Sequence, residues 1–201
     1  MINGERSTSP ARWLVIGLGN PGTEYEKTRH NIGTSLITSI AAGAGVKFTS
    51  HKSRANVAEF KLGYGLSAPT LVLATLRCYM NESGGPTKSL ADFFKVSGEK
   101  IIVAHDELDI PFQSLRIKFG GGDNGHNGLK SITSALGSGD YFRIRLGIGR
   151  PVGNQDPADF VLKNFSSVEK PELPDFISRG SEAIEYLIKN GLTAAQGAFN
   201  K

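Results

Sequence analysis

Two polar side chains, Asn20 and His30, flank a glycine-rich stretch, Gly17-Leu-Gly-Asn-Pro-Gly22 continued by Thr-Glu-Tyr-Glu-Lys-Thr-Arg-His-Asn31. Imidazole gains and loses a proton near neutral pH, so His30 is a candidate general base. A carboxylate on one ring nitrogen would fix its tautomer and balance the cation formed as the other nitrogen takes a proton. Asp106, in His105-Asp106-Glu107 at the end of the apolar run from Ile101, fits that role; alone it would read as a turn or cap residue. Asn20, Asn81 and Asn127 each offer a donor and an acceptor without charge, which suits a peptide backbone or an ester carbonyl. Asparagine near glycine also stabilises turns, and convergence in loops that follow strands is what favours the cleft role. His105 and His126 read as hydrogen-bonded structural histidines, His51 as solvated in a polar loop, and Cys78 as a small packed residue.

These groups need a scaffold that delivers loops to one edge. Trp13 to Ile16 is an apolar run without helical period, bounded by glycine, and reads as a buried central strand. Gly17, Gly19, Pro21 and Gly22 then bring the chain out at the strand's carboxyl edge, where open α/β sheets place ligands. Gly17 to Gly22 also satisfies G-x-G-x-x-G, which raises a dinucleotide oxidoreductase as a competitor. That motif requires a helix opening on the glycines and an acidic residue about 20 positions on. Pro21 disfavours helix at Asn20, the helical pattern begins only after His30, and no Asp or Glu occurs between Glu26 and Glu59.

Further along, Asn31 to about Ala42 reads as an amphipathic helix, and Val46 to Thr49, Ala55 to Leu62 and Thr70 to Ala74 as strands. Leu76 to Gly84 is an irregular loop. Pro86 opens a helix with Leu90, Phe93 and Phe94 on its apolar face. Leu115 to Phe119 and Phe142 to Leu146 alternate, predicting that Arg116, Lys118, Arg143 and Arg145 point outward. A polar glycine loop, Gly120 to Gly128, joins them and feeds a helix at Leu129 to Leu136. Asp159 to Leu162 is a short element, Pro174 to Asn190 the last helix, and Leu192 to Lys201 a tail.

The chain has 201 residues and a formal net charge of +4. It reads as a polar extension, 1–12, followed by one domain, 13–201, with no repeat or linker. From Gln113 to Arg150 six basic residues face Asp123 and Asp140, so this window carries the whole excess. Such clustering is the footprint expected for a phosphate backbone. One cysteine and no metal-site spacing imply a reducing, cytoplasmic setting without a bound metal. No signal segment or membrane-length apolar run is legible.

Four ordered segments complete the reading: Gly-Leu-Gly-Asn-Pro-Gly…Tyr25…Arg29-His-Asn31, Tyr79-Met-Asn-Glu-Ser-Gly84, Val103-Ala-His-Asp-Glu-Leu-Asp109 and Gly120-Gly-Gly…Gly125-His-Asn-Gly-Leu129. Together the set resembles the bacterial-type peptidyl-tRNA hydrolases from Trp13 onward. The resemblance implies a single α/β domain with a mixed twisted sheet flanked by helices. It implies hydrolysis of the ester between a peptide and the 3′ ribose of tRNA, with no cofactor or metal, by a cytoplasmic monomer. It assigns His30 as the base, Asp106 as its orienting carboxylate and Asn20 as the amide that discriminates blocked from free aminoacyl groups. Tyr25, Tyr79, Met80, Asn81 and Asn127 would line the substrate cleft, and Arg116, Lys118 and Arg145 would meet the tRNA's terminal phosphate. Departures are Arg77-Cys78 before the Tyr-Met-Asn segment, Asp123-Asn124 in the glycine loop in place of smaller residues, and a tail without a basic ending. Relatives of this family that serve in intron splicing make a non-enzymatic RNA-binding protein the second reading.

Overall fold

The computed structural model describes residues 10–200. The expected polar extension therefore lies mostly outside the described residues, and Arg12 already belongs to the first strand. Among the described residues, β1 (Arg12–Gly17), β2 (Thr49–His51), β3 (Ala55–Lys61), β4 (Thr70–Leu76), β5 (Ile101–Glu107), β6 (Leu115–Phe119) and β7 (Phe142–Gly147) form one sheet. Its order is β2-β3-β4-β1-β5-β7-β6. The central strands β4, β1, β5 and β7 are parallel, while β2, β3 and β6 pair antiparallel at the margins. The mixed α/β sheet is thus as expected.

The helices are α1 (Ile32–Gly43), α2 (Gly84–Phe94), α3 (Asn127–Leu136), α4 (Pro157–Val161), α5 (Leu173–Asn190) and α6 (Leu192–Phe199). Successive residues of β1 serve opposite faces. Leu14 and Ile16 join Leu90 of α2 and Ile132 of α3 in one core, and Val15 joins Leu36 and Ile37 of α1 and Ile184 and Leu187 of α5 in the other. A parallel strand covered on both sides has no polar face, which explains the uninterrupted apolar run. Each such buried side chain contributes roughly 1.5–3 kcal/mol.

Several expectations shift. The second strand starts at Thr49, because Val46 and Phe48 turn inward onto the core instead of pairing. Phe93 is half exposed, and His51 is not solvated: its ring packs on Phe93 at 4.6 Å and its Nδ1 accepts the Ser53 amide. The tail is the helix α6. It covers the sheet's edge, where Asn200 Oδ1 accepts the Ile117 amide at 2.6 Å and Gln196 donates to the Ile117 carbonyl at 3.0 Å. Those bonds satisfy edge-strand groups that would otherwise be open to pairing.

Close contact at the carboxyl edge sets up the site. A Cβ on Gly33 would lie 2.3 Å from the Ala104 carbonyl, and one on Gly17 would lie 2.4 Å from the Gly33 carbonyl. Helix α1 therefore approaches β1 and β5 backbone to backbone, which brings the 3₁₀ turn Arg29–Asn31 against the end of β5. The first glycine of the dinucleotide-like motif is used for this packing, and α1 opens at Ile32, well past the glycines. The oxidoreductase reading loses its helix.

Candidate active site

The loop after β1 is closed by Asn31, whose Oδ1 accepts the Asn20 amide and whose Nδ2 donates to the Asn20 carbonyl, both at 2.9 Å. This two-bond clamp holds Asn20 facing the loop after β4, where its Oδ1 accepts the Met80 amide at 2.8 Å. The neighbouring turn is equally fixed. Arg29 is buried, pairs with Glu169 at 2.6 Å, donates to the Asn164 carbonyl at 2.8 Å and lies 4.2 Å from the Phe160 ring centre. His30 is thereby held between α4 and the end of β5.

His30 Nδ1 meets Asp106 Oδ1 at 2.9 Å and Oδ2 at 3.0 Å. A carboxylate accepts, so Nδ1 carries the proton and Nε2 keeps its lone pair. His126 approaches the same carboxylate, with Nε2 at 3.0 Å from Oδ1. Its Nδ1 accepts the Gly128 and Leu129 amides at the start of α3, which puts its proton on Nε2. Burial acts to raise the Asp106 carboxyl's pKa, but the charges and hydrogen bonds of His30 and His126 outweigh it and hold it well below the usual range. His105 is structural: its Nδ1 meets the Asp106 carbonyl at 2.7 Å, and burial, followed by His126, pushes it down to about 3. His30, Asp106 and His126 each offer one ligand atom, and these atoms lie within 4.8 Å of one another, close enough to hold a metal ion, although the two N–H groups already satisfy the carboxylate.

Around this group lies a cleft of about 640 Å³. The structure brings Asn20, His30, Tyr79, Met80, Asn81, Asp106 and Asn127 to it, and adds His126, Glu107, Asn124 and the Asp156–Leu162 segment as walls. Tyr25 stands beside it, edge-on to Tyr79 with ring centres 6.5 Å apart. A second hollow of about 170 Å³, lined by Lys118, Arg143, Arg145, His105, Glu107 and Asn124, adjoins it.

The basic strands divide. Arg145 is partly exposed and pairs with Glu107, while Lys118 opens into the small notch. Arg116 faces Arg145 across the β6–β7 pair but does not line the notch. Arg143 corrects the alternation reading: it is buried, stacks on Tyr141 at 4.7 Å and donates to the Gly121 and Gly122 carbonyls at 2.7 and 2.5 Å. It pins the glycine loop because that loop folds back over the strand face. The sequence assigns no site role to Asn31, Glu107 or Asn124, because the contacts that define their roles join separate loops and strands.

An α/β sheet with an imidazole–carboxylate pair at its carboxyl edge, opening into a polar cleft, is an arrangement suited to general-base chemistry. A sequence model of the family described as peptidyl-tRNA hydrolase matches residues 14–201, and the chain belongs to that family of enzymes. The chain is 51% identical over 191 residues to a peptidyl-tRNA hydrolase of Kineococcus radiotolerans, covering 94% of this chain and 96% of that protein. It is 50% identical to one from Streptomyces coelicolor, with 94% and 96% covered. A crystal structure of peptidyl-tRNA hydrolase from Acinetobacter baumannii superposes with a TM-score of 0.83 at 29% identity, covering 98% of this chain and 97% of that one. No helix among the described residues is long and apolar enough to cross a membrane.

Proposed function

We propose that the protein hydrolyses the ester joining a peptide, or an N-blocked amino acid, to the 3′ ribose of tRNA, with His30 as general base. Family membership supports the reaction. The observation that carries the mechanism is the paired Nδ1 of His30, which leaves Nε2 as the basic nitrogen of a ring lining the cleft. Nε2 takes a proton from water as the oxygen attacks the ester carbonyl. Collapse of the tetrahedral intermediate breaks the bond to the ribose oxygen, and the imidazolium returns the proton to that oxygen. Asp106 balances the imidazolium between these steps. The reading places the protein in the cytoplasm, recycling tRNA for translation.

Asn20 has its oxygen committed to the Met80 amide, so its Nδ2 protons are what it offers the cleft. Those donors match a carbonyl oxygen and mismatch an ammonium, which only donates. Asn81 and Asn127 extend the amide lining, Met80 supplies an apolar floor and Tyr25 and Tyr79 an aromatic rim. Lys118 and Arg145 in the notch, with Arg116 behind them, meet RNA phosphates.

The test is release of labelled N-acetylamino acid from tRNA by the purified protein. His30→Ala should lower kcat by at least about 10²-fold while tRNA still binds. Near-normal turnover would remove His30 from the mechanism, and binding without release by the unaltered protein would favour the RNA-binding alternative.

A further inference from the structure

Glu107 and Asn124 line both the cleft and the basic notch and form the wall between them. Asn124 adopts φ +51°, a left-handed conformation that glycine and asparagine occupy more readily than other residues. Gly121 and Gly125 close by also have positive φ, so this loop is built where glycine is the easy choice. The Asn124 side chain is anchored as well. Its Nδ2 donates to Glu107 Oε1 at 2.7 Å and to Asp109 Oδ2 at 2.9 Å, which uses both amide protons on acceptor-only partners.

From Glu107 the connection continues to the notch. Its other oxygen, Oε2, accepts Arg145 Nε at 3.0 Å and lies 2.9 Å from Nη2. Glu107 is buried and has few alternative orientations once Asn124 and the Asp109 amide hold Oε1. We propose that Asn124 is a positioning residue that, through Glu107, fixes the Arg145 guanidinium in the notch and sets its register against the cleft. This rests on the reading that Arg145 meets an RNA phosphate.

A guanidinium already oriented loses less side-chain freedom when a phosphate arrives. Its pairing with Glu107 also lowers its attraction for phosphates in general, leaving the correctly directed one favoured. Because one wall bounds both hollows, the same contact sets how far the anchored phosphate lies from the scissile ester. Arg145 tied to a loosened Glu107 would bind phosphate in several orientations, some of which put the ester out of reach of His30.

Asn124→Gly tests this cleanly, since glycine accepts the same backbone conformation and only the side-chain bonds are lost. We would measure KM and kcat for N-acetylaminoacyl-tRNA with the unaltered protein, Asn124→Gly, Arg145→Gln and the double variant, at several salt concentrations. Asn124→Gly should raise KM about three- to tenfold, the scale of one charged hydrogen bond. Arg145→Gln should raise it at least as much and flatten the salt dependence by up to about one unit of slope. The double variant should be no worse than Arg145→Gln alone, because Asn124 acts through Arg145. Equal factors in both backgrounds would assign Asn124 to loop stability and overturn the proposal, as would an unchanged KM in Asn124→Gly beside a damaged Arg145→Gln. A silent Arg145→Gln would overturn the phosphate reading itself, and the proposal with it.

Discussion

Replacing Asp106 with Asn removes a charge and one acceptor while keeping the shape. In the native site two N–H groups, His30 Nδ1 and His126 Nε2, converge on one carboxylate. The His126 tautomer is not free to change, because its Nδ1 accepts two backbone amides at the start of α3. Oδ1, which both histidines share, is then the asparagine's one oxygen and is held by His126, while its NH₂ group occupies the position of Oδ2, 3.0 Å from His30 Nδ1. A donor there favours the tautomer with the proton on Nε2, so the base enters the reaction already protonated on the nitrogen that should accept. Two charge-assisted contributions are lost, the tautomer bond and the balance of the imidazolium, each worth roughly 1.5–3 kcal/mol. Together they amount to about 3–6 kcal/mol, or about 10²- to 10⁴-fold in kcat.

The assay is single-turnover release of labelled N-acetylamino acid from tRNA between about pH 6 and 9, with tRNA affinity measured in parallel. Asp106→Asn should be slow across the range with affinity retained. A rate within about twofold of the unaltered protein would make Asp106 structural. Recovery to the normal rate at high pH would show that the carboxylate tunes proton affinity without choosing the tautomer, which would refute the hydrogen-bond reasoning.

Two further outcomes follow from neighbouring groups. His105 is held neutral with a pKa of about 3, whereas the unfolded chain's histidine titrates near 6.5, so the unfolded state binds the extra proton between those values. Stability therefore falls as pH drops through that window, by about 2 kcal/mol at pH 5 from this group; urea midpoints at pH 7 and 5 should converge in His105→Gln, and an undiminished pH difference would exclude His105 as the source. Asn20→Asp keeps an acceptor for the Met80 amide and turns a second oxygen to the cleft, so the ratio of kcat/KM for N-acetylaminoacyl-tRNA over aminoacyl-tRNA should narrow even if both fall. An unchanged ratio with the same tRNA and amino acid would move the discrimination to other cleft residues.

What the sequence made legible follows from how local each signal is. β1 could be read because both faces of a central parallel strand are covered and the apolar run is continuous. His30 and Asp106 could be proposed as base and carboxylate from their types, but they are 76 residues apart and only the fold shows Nδ1 on the carboxylate. Strand alternation predicts Arg143 outward, which means solvent only where that face of the sheet is left uncovered. At β7 the glycine loop lies over that side, and its carbonyls need a donor. Helix α6 leaves little trace in the sequence because its short Ala- and Gly-containing run has little apolar periodicity, and its polar partners are edge-strand backbone groups of Ile117 far away along the chain.

A common device runs through Asn20 and His30. Each spends one hydrogen-bonding position on the protein and keeps another for the cleft. Asn20 commits its oxygen to Met80 while Asn31 clamps its backbone from both sides. His30 commits Nδ1 to Asp106, and Asp106 is shared with a histidine whose own tautomer is set by backbone amides. The direction of every remaining donor or acceptor is thus decided before substrate arrives, and little reorganisation is left for the transition state. This is why the loops can be rich in glycine without the site being loose: the glycines let strands, helix and loop approach, and the asparagine, histidine and aspartate bonds between loops supply the rigidity.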